Sequence, residues 1–330
     1  MGLPAVEPDK VTSVGMLGAG SVGAGWASLM LAKGLRVNAY DTGEGAEARA
    51  RAFIARAWPS LRKLGVASAA EAPLDRLVFY PSLTDMVEAS DVIQENAPED
   101  PAMKRRLIAE ADAVAPVGKI ILSSTGGVPP TELQADCAHP ERVVVFHPFV
   151  PAHLMPLVEI VPGLETSAET TAWAMGFARF LGKHPVQLNR ESVGHMANRL
   201  QFALVREAVR CLLEGLATPS DIDAAVRYGL APRWILTGGL MTLHMAGGAG
   251  GMRGILDHAG GAIEQWWRTG DPLCLTEDVR AALIAAGAEL SSGAANDAWG
   301  AWRDDQLVPL LNIQSQADLS QPGLNGKASL

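Results

Sequence analysis

Val11-Thr-Ser-Val-Gly-Met-Leu-Gly-Ala-Gly-Ser-Val-Gly-Ala-Gly-Trp26 is the stretch that decides the fold. A β-prone run over residues 11–17 leads into glycines at 18, 20 and 23, and then into an Ala/Leu-rich helix over 24–33. Each glycine has its own task in such a turn. Gly18 permits the tight reversal, Gly20 lets backbone approach a pyrophosphate, and Gly23 lets helix pack against strand. Ser21, Val22 and Gly23 open the helix, where unpaired N–H groups and the positive dipole end favour phosphate. A glycine triplet alone is a weak signal, so its surroundings must decide. A second strand over 35–40 ends in Asp41, where the dinucleotide fingerprint places a carboxylate for the adenosine ribose hydroxyls. That charge repels a 2′-phosphate, and Thr42-Gly43 supplies no Arg to hold one, so the expected cofactor is NAD. The competing explanation, a glycine-rich turn with no cofactor, leaves Asp41 without a reason.

At about 100–200 residues per domain, 330 residues predict two domains, divided here as 1–191 and 192–330. The chain is 48% hydrophobic and 19% charged, with no unbroken apolar run of about 18 residues that could span a membrane. Residues 1–10 carry acidic groups and two prolines but no apolar signal core. Cys137, Cys211 and Cys274 are too scattered for a disulfide framework or a zinc site, so no metal is expected and a reducing cytoplasm is the simplest setting. A net charge of −9 argues against nucleic acid, whose binding needs clustered Lys and Arg.

Strand and helix signals alternate through the first half. Helix 45–64 has apolar residues at helical spacing, although Pro59 predicts a kink or an early end. Strands are expected at 77–80, 91–94, 119–123 and 142–146, with helices near 83–89, 101–114 and 130–136 between them. Such alternation predicts a parallel, doubly wound sheet. Strands at 157–161 and 185–188 flank a helix over 167–182. Beyond about Ser192 only helices are expected. Residues 195–216 are apolar on several faces, as a buried helix should be. Ser220 and Asp223 form a capping-box-like pair, and Gly229 is placed to end that helix. Within the Gly/Ala-rich stretch 238–261, the cluster Gly247-Gly-Ala-Gly-Gly251 reads as close helix packing or a loop, and helices near 276–289 and 297–313 and a frayed tail from Ser315 follow. The fold class is therefore α/β, a Rossmann-type doubly wound sheet followed by an all-helical C-terminal domain.

His147 lies just past the carboxyl end of a strand, the edge where open α/β sheets bind ligands. Twelve residues on, Glu159 is the one charge in the apolar run Leu157-Val-Glu-Ile-Val161. A lone buried carboxylate is costly unless paired, and His147 is its natural partner. Alcohol oxidation needs a base for the hydroxyl proton, and imidazole oriented by a carboxylate supplies one. Asn198 shares a helical face with Phe202, Val205 and Val209, so its carboxamide needs a partner, either a substrate oxygen or a backbone group.

Beyond these single residues, the chain resembles the 3-hydroxyacyl-CoA dehydrogenase family, in the branch of lambda-crystallin (an L-gulonate 3-dehydrogenase) and L-carnitine dehydrogenase. The resemblance is carried by the glycine fingerprint with Gly-Trp-Ala after it, Ile93-Gln-Glu-Asn-Ala-Pro-Glu-Asp100 and Leu122-Ser-Ser-Thr125. It continues through Phe146-His-Pro-Phe149, Pro156-Leu-Val-Glu159, Leu181-Gly-Lys-His-Pro-Val186 and Val193-Gly-His-Met-Ala-Asn-Arg-Leu-Gln201. Arg233-Trp, His244-Met-Ala-Gly-Gly248 and Trp302-Arg-Asp-Asp305 resemble this branch in particular. The resemblance implies a homodimer formed through the helical domain and a catalytic acid/base at His147 oriented by Glu159. It implies that Asn198 bonds substrate or holds the geometry, and that Glu99, Lys104 and Ser124 contact the nicotinamide half of the cofactor.

Two departures stand out against that family. Its active-site Ser after the motif threonine is Gly126 here, and its Asn three residues beyond the catalytic His is Val150. The loss of two hydrogen-bonding groups predicts a more apolar or bulkier substrate group near them, and restoring Ser and Asn is expected to improve turnover of a hydroxyacyl-CoA. Ser123 or Thr125 is the alternative source of the missing hydroxyl. Residues 66–73, Val-Ala-Ser-Ala-Ala-Glu-Ala-Pro, carry no cation for CoA phosphates where hydroxyacyl-CoA enzymes carry a lysine-bearing insertion, which favours a small free 3-hydroxy acid over a CoA ester. Arg199 and Arg233 are the candidate anchors for its carboxylate, each competing with a structural ion-pair role. A crystallin-like NAD(H)-binding protein with little catalysis is a further reading. A lysine-catalysed hydroxyacid dehydrogenase is not, because residues 195–216 contain no Lys.

Overall fold

The computed structural model describes residues 4–268 and 273–319. Its residues group into two compact units, Met1–Leu200 and Gln201–Leu330.

In the first unit, strands β1 (Ser13–Leu17), β2 (Arg36–Tyr40), β3 (Leu77–Phe79) and β4 (Val92–Glu95) are joined by β5 (Ile121–Ser123), β6 (Val143–Pro148), β7 (Leu157–Pro162) and β8 (His184–Gln187). They form one sheet in the order β3-β2-β1-β4-β5-β6-β7-β8. The strand order turns back beside β1, which pairs in parallel with both β2 and β4. Helices α1 (Ser21–Ala32), α2 (Ala46–Lys63), α3 (Leu83–Glu88), α4 (Pro101–Val114), α5 (Pro130–Gln134) and α6 (Ala168–Phe180) connect the strands. Because helices cover both faces, the inner strands are buried throughout rather than alternating. One apolar layer holds Trp26, Met30, Phe146 and Phe177. The other holds Met86, Ile93, Ile108 and Val145.

Strands β1–β6 pair in parallel, as the alternation predicts, whereas β7, to which the alternation assigns no direction, runs antiparallel to β6. No helix lies between them in the chain, and only a crossover connection allows a parallel return. Helix α2 fills nearly the whole expected span 45–64, and Pro59 does not end it early; it continues to Lys63. Pro59 and Ala55, whose carbonyl loses its helical donor, are both exposed, so water can serve that carbonyl.

The helix α7 (Ala197–Leu213) begins in the first unit and continues into the second. The second unit holds α8 (Pro219–Ala224), a π-helical turn (Ala225–Leu230), α9 (Ala231–Ala246), α10 (Gly251–Trp267), α11 (Glu277–Ser291) and α12 (Asn296–Leu319). Here three expectations change. Apolar periodicity predicts burial for α7, yet Leu200, Phe202, Val205 and Leu213 are exposed and only Val209 is buried. Periodicity marks which faces are apolar, not what covers them. The cap of α8 is Thr218, which accepts from the Asp221 N–H and bonds its carboxylate, rather than Ser220 with Asp223. Gly229 ends no helix, because the π-helical turn carries the chain into α9 and the Gly229 carbonyl accepts from the Arg233 guanidinium. The Gly247–Gly251 cluster takes the close-packing alternative, between α9 and α10: a Cβ on Gly247 would strike the Gly251 carbonyl oxygen. Of the tail expected to fray, residues up to Leu319 are helical and the rest lies outside the described residues. Among the described residues no helix is long and apolar enough to cross a membrane.

A Cβ on Gly23 would run into the Gly18 carbonyl, whereas a Cβ on Gly20 meets nothing within 4 Å among the described residues. Gly23→Ala is therefore expected to lower stability by about 1–3 kcal/mol through overpacking, while Gly20→Ala leaves the thermal midpoint near that of the parent. Equal midpoints for the two variants, measured by calorimetry, would contradict this account of the turn.

Candidate active site

The antiparallel register of β6 and β7 sets His147 directly opposite Glu159. The His147 Nδ1 lies 2.9 Å from Glu159 Oε2, with the carboxylate fully buried and the imidazole nearly so. The other oxygen, Oε1, accepts from the N–H groups of Met196 at 3.0 Å and Ala197 at 2.9 Å. These donors open α7, where backbone N–H groups lack helical partners and the dipole end is positive. Burial raises the carboxyl pKa, but the His147 hydrogen bond, the Ala197 N–H, the His147 charge and the Met196 N–H together hold it below the ordinary 4.5. An ionised carboxylate can only accept, so Nδ1 carries the proton and Nε2 is the bare, basic nitrogen. It faces the turn after β5: a methyl group on Gly126 would lie 3.2 Å from Nε2.

That turn, Thr125-Gly126-Gly127, is fastened on both sides. Its three successive carbonyls accept from His195 Nε2 at 3.1 Å, Asn198 Nδ2 at 2.9 Å and the Gly194 N–H at 3.3 Å. On its other side Glu99 Oε1 accepts from Thr125 Oγ1, the Gly126 N–H and the Gly127 N–H. Burial raises the Glu99 pKa, but the Thr125 hydroxyl, the Lys104 charge and hydrogen bond, and the Gly126 N–H leave it lowered overall. Beneath it, Lys104 is 1% exposed, with Nζ at 2.9 Å from Glu95 Oε1 and from the Ala97 carbonyl and at 3.3 Å from Glu99 Oε2.

Several expected site residues are thus occupied by the protein itself. The carboxamide of Asn198 holds the Gly126 backbone with one of its two N–H groups. The space at Gly126 is closed rather than roomy, because a methyl group there would also lie 3.1 Å from Asn198 Nδ2. A side chain at 126 would therefore require the Asn198 carboxamide and the His147 ring to give by a few tenths of an ångström. Neither alternative hydroxyl is free: Ser123 donates to Glu95 Oε2 and Thr125 to Glu99. The Ser124 hydroxyl bonds Asn96 Oδ1, Gln94 Nε2 and Trp26 Nε1. With all three ammonium donors of Lys104 facing protein oxygens, that residue braces Glu95 and Glu99. Arg199 bonds Ser192 Oγ and is exposed, and Val150 is exposed beyond Phe149, whose ring lies 5.0 Å from that of His147. Arg233 belongs to the second unit.

On the cofactor side, Gly18 has φ +91° and Gly20 leaves open space at the start of α1, which suits a close-lying phosphate. Val22 lies in the first turn of α1. A cavity of about 360 Å³ is lined in part by Gly20, Ser21, Asp41, Arg49, Phe53 and Arg56. The Asp41 carboxylate accepts from the Ala19 and Gly43 N–H groups, both at 2.7 Å, which fixes it beside that cavity. These residues fit an adenine dinucleotide. The sequence places no Arg beside Asp41, yet the fold brings two from α2, where positions 49, 53 and 56 share a helical face. His195, Arg49 and Arg56 were not legible as site residues; for the arginines, the helical spacing was the available signal. Among the described residues no His, Cys, Asp and Glu side chains gather into a group able to hold a metal.

Glu159→Gln is expected to lower kcat at least tenfold, because the imidazole loses the anion that orients it and balances its charge. Stability should also depend on pH with a definite sign. Carboxyls held below 4.5 in the folded state stabilise above that pH and lose the contribution as pH falls. Thermal midpoints should drop below about pH 4.5, less steeply for Glu159→Gln; parallel curves for parent and variant would contradict the assignment.

The family profile described as the 3-hydroxyacyl-CoA dehydrogenase NAD-binding domain matches residues 13–192, and that of its C-terminal domain matches 194–268. An L-carnitine dehydrogenase from Streptomyces coelicolor is 40% identical over 306 residues, covering 92% of this chain and 95% of its own. Another from Bacillus cereus is 38% identical over 322 residues, covering 98% and 97%. Among solved structures, a 5-formyl-3-hydroxy-2-methylpyridine 4-carboxylic acid 5-dehydrogenase, described as an NAD+-dependent dismutase, superposes with a TM-score of 0.79. That structure is 27% identical and covers 92% of this chain and 99% of its own. The chain belongs to the 3-hydroxyacyl-CoA dehydrogenase family and is an NAD-dependent oxidoreductase acting on a CH–OH group.

Proposed function

We propose that the chain interconverts a small free 3-hydroxy acid and its 3-keto acid, with His147 as acid/base and Glu159 as its orienting partner. One observation carries this reading: Glu159 holds His147 through Nδ1 and leaves Nε2 bare beside the Gly126 turn. In the oxidative direction Nε2 takes the hydroxyl proton as the carbonyl forms, and the buried carboxylate balances the imidazolium. NAD, when bound, accepts the hydride. In the reverse direction Nε2–H returns the proton to the carbonyl oxygen. Asn198 keeps one amide N–H beyond the bond to Gly126, and this can donate to the reacting oxygen.

Two observations support a free acid rather than a thioester. Residues 66–73 carry no Lys or Arg, and the two curated relatives described above are named for L-carnitine, itself a 3-hydroxy acid. Arg199 and Arg233 are the candidate anchors for the substrate carboxylate. Glu99 and Ser124 are assigned to the nicotinamide side of the site, with Lys104 bracing Glu99. For assembly, the exposed apolar residues Phe202, Val205, Leu240 and Met241 support a homodimer through the helical unit. Three free cysteines suit a cytoplasmic setting.

The test follows NAD reduction with L-carnitine, 3-hydroxybutyrate and 3-hydroxybutyryl-CoA, using His147→Ala as control. Turnover of a free acid that falls at least a hundredfold in the variant is the expected result. Turnover of the CoA ester alone would overturn the free-acid assignment, and full activity in His147→Ala would overturn the role of the histidine. NADH binding with no turnover of any substrate would instead favour a crystallin-like protein.

A further inference from the structure

His195 takes no part in the acid/base pair or in the glycine turn at residues 18–23, yet it is buried and held in a left-handed backbone conformation. It is 1% exposed, its backbone has φ +48°, and its ring centroid lies 5.4 Å from that of His147. A carbonyl oxygen only accepts, so the 3.1 Å contact with the Thr125 carbonyl requires the proton on Nε2. The other nitrogen, Nδ1, is then a bare lone pair, buried with no partner among the described residues. A positive φ and an unpartnered buried nitrogen both disfavour this residue, and a phenylalanine ring of similar size would remove the second penalty. What the imidazole adds is one N–H directed at Thr125. Burial and the nearby His147 charge lower the His195 pKa, outweighing the Thr125 carbonyl, the Glu159 charge and the Ser192 carbonyl, and so favour the neutral ring.

The turn that it holds has little slack. Gly126 follows Thr125 without a side chain to brace it, and a methyl group on Gly126 would already lie 3.2 Å from His147 Nε2. A peptide that relaxed toward His147 would close the approach to that nitrogen. Building on the proposed role of His147, we propose that His195 is a positioning residue. Its Nε2–H holds the Thr125–Gly126 peptide off His147 Nε2 and so keeps that nitrogen open to the substrate hydroxyl.

Carbethoxylation of His147 by diethyl pyrocarbonate tests this without any need for the substrate, with the rate followed by peptide mass mapping of the full-length protein. In His195→Phe the rate at His147 should fall about fivefold, the worth of one hydrogen bond, with NADH affinity unchanged. His195→Gln, whose amide can donate from nearly the same place, should restore the rate. His195→Ala substitutes for Phe if that variant does not fold. An unchanged rate in the Phe or Ala variant, or a Gln variant as slow as Phe, would overturn the proposal. Loss of the reaction at His147 in His147→Ala but normal turnover of hydroxy acids by that same variant would instead refute the acid/base reading and leave the positioning claim standing.

Discussion

A fully buried carboxylate is the constraint on which the site depends. Removing the partner of such a charge typically costs about 3–5 kcal/mol, because the charge remains buried and uncompensated. Glu159 meets that demand with three donors: the His147 imidazole and the first N–H groups of α7. The demand therefore fixes three things together, namely the antiparallel register of β6 and β7, the place where α7 starts, and the tautomer of the histidine. None of the three can shift without leaving the carboxylate short of a donor.

The segment that leads into α7 does double duty. While Met196 and Ala197 serve Glu159, the neighbouring Gly194, His195 and Asn198 fasten successive carbonyls of the turn after β5. The opposite side of that turn is held by Glu99, itself braced by the buried Lys104 and Glu95. Two carboxylate-centred networks thus meet at Gly126, one carrying His147 and the other the edge of the sheet nearest the glycine turn. Rigidity of this kind suits proton transfer, which requires the base within hydrogen-bond reach of its proton.

Much of this was legible in the residues, and the failures have physical causes. The glycine turn, the strand positions and α4 follow from local chemistry, so spacing suffices to find them. His147 and Glu159 could be paired because an isolated charge in an apolar strand requires a partner. The direction of β7 depends on whether a crossover helix intervenes, which alternation of signals does not reveal. Exposure of α7 depends on what packs against an apolar face, and periodicity carries no information about that. The arginines of α2 reach the Asp41 cavity only because the fold brings a later helix back to the first turn. His195 gives no sequence signal of its own, since its importance lies in a backbone carbonyl some seventy residues away.

Glu159, held at the start of α7, keeps the proton of neutral His147 on Nδ1 and leaves Nε2 free. NMR of the imidazole nitrogens in nitrogen-labelled protein reads this directly. Neutral His147 is expected to be protonated at Nδ1 in the parent protein and to lose that preference in Glu159→Gln. A proton on Nε2 in the parent, or the same tautomer in both proteins, would contradict it.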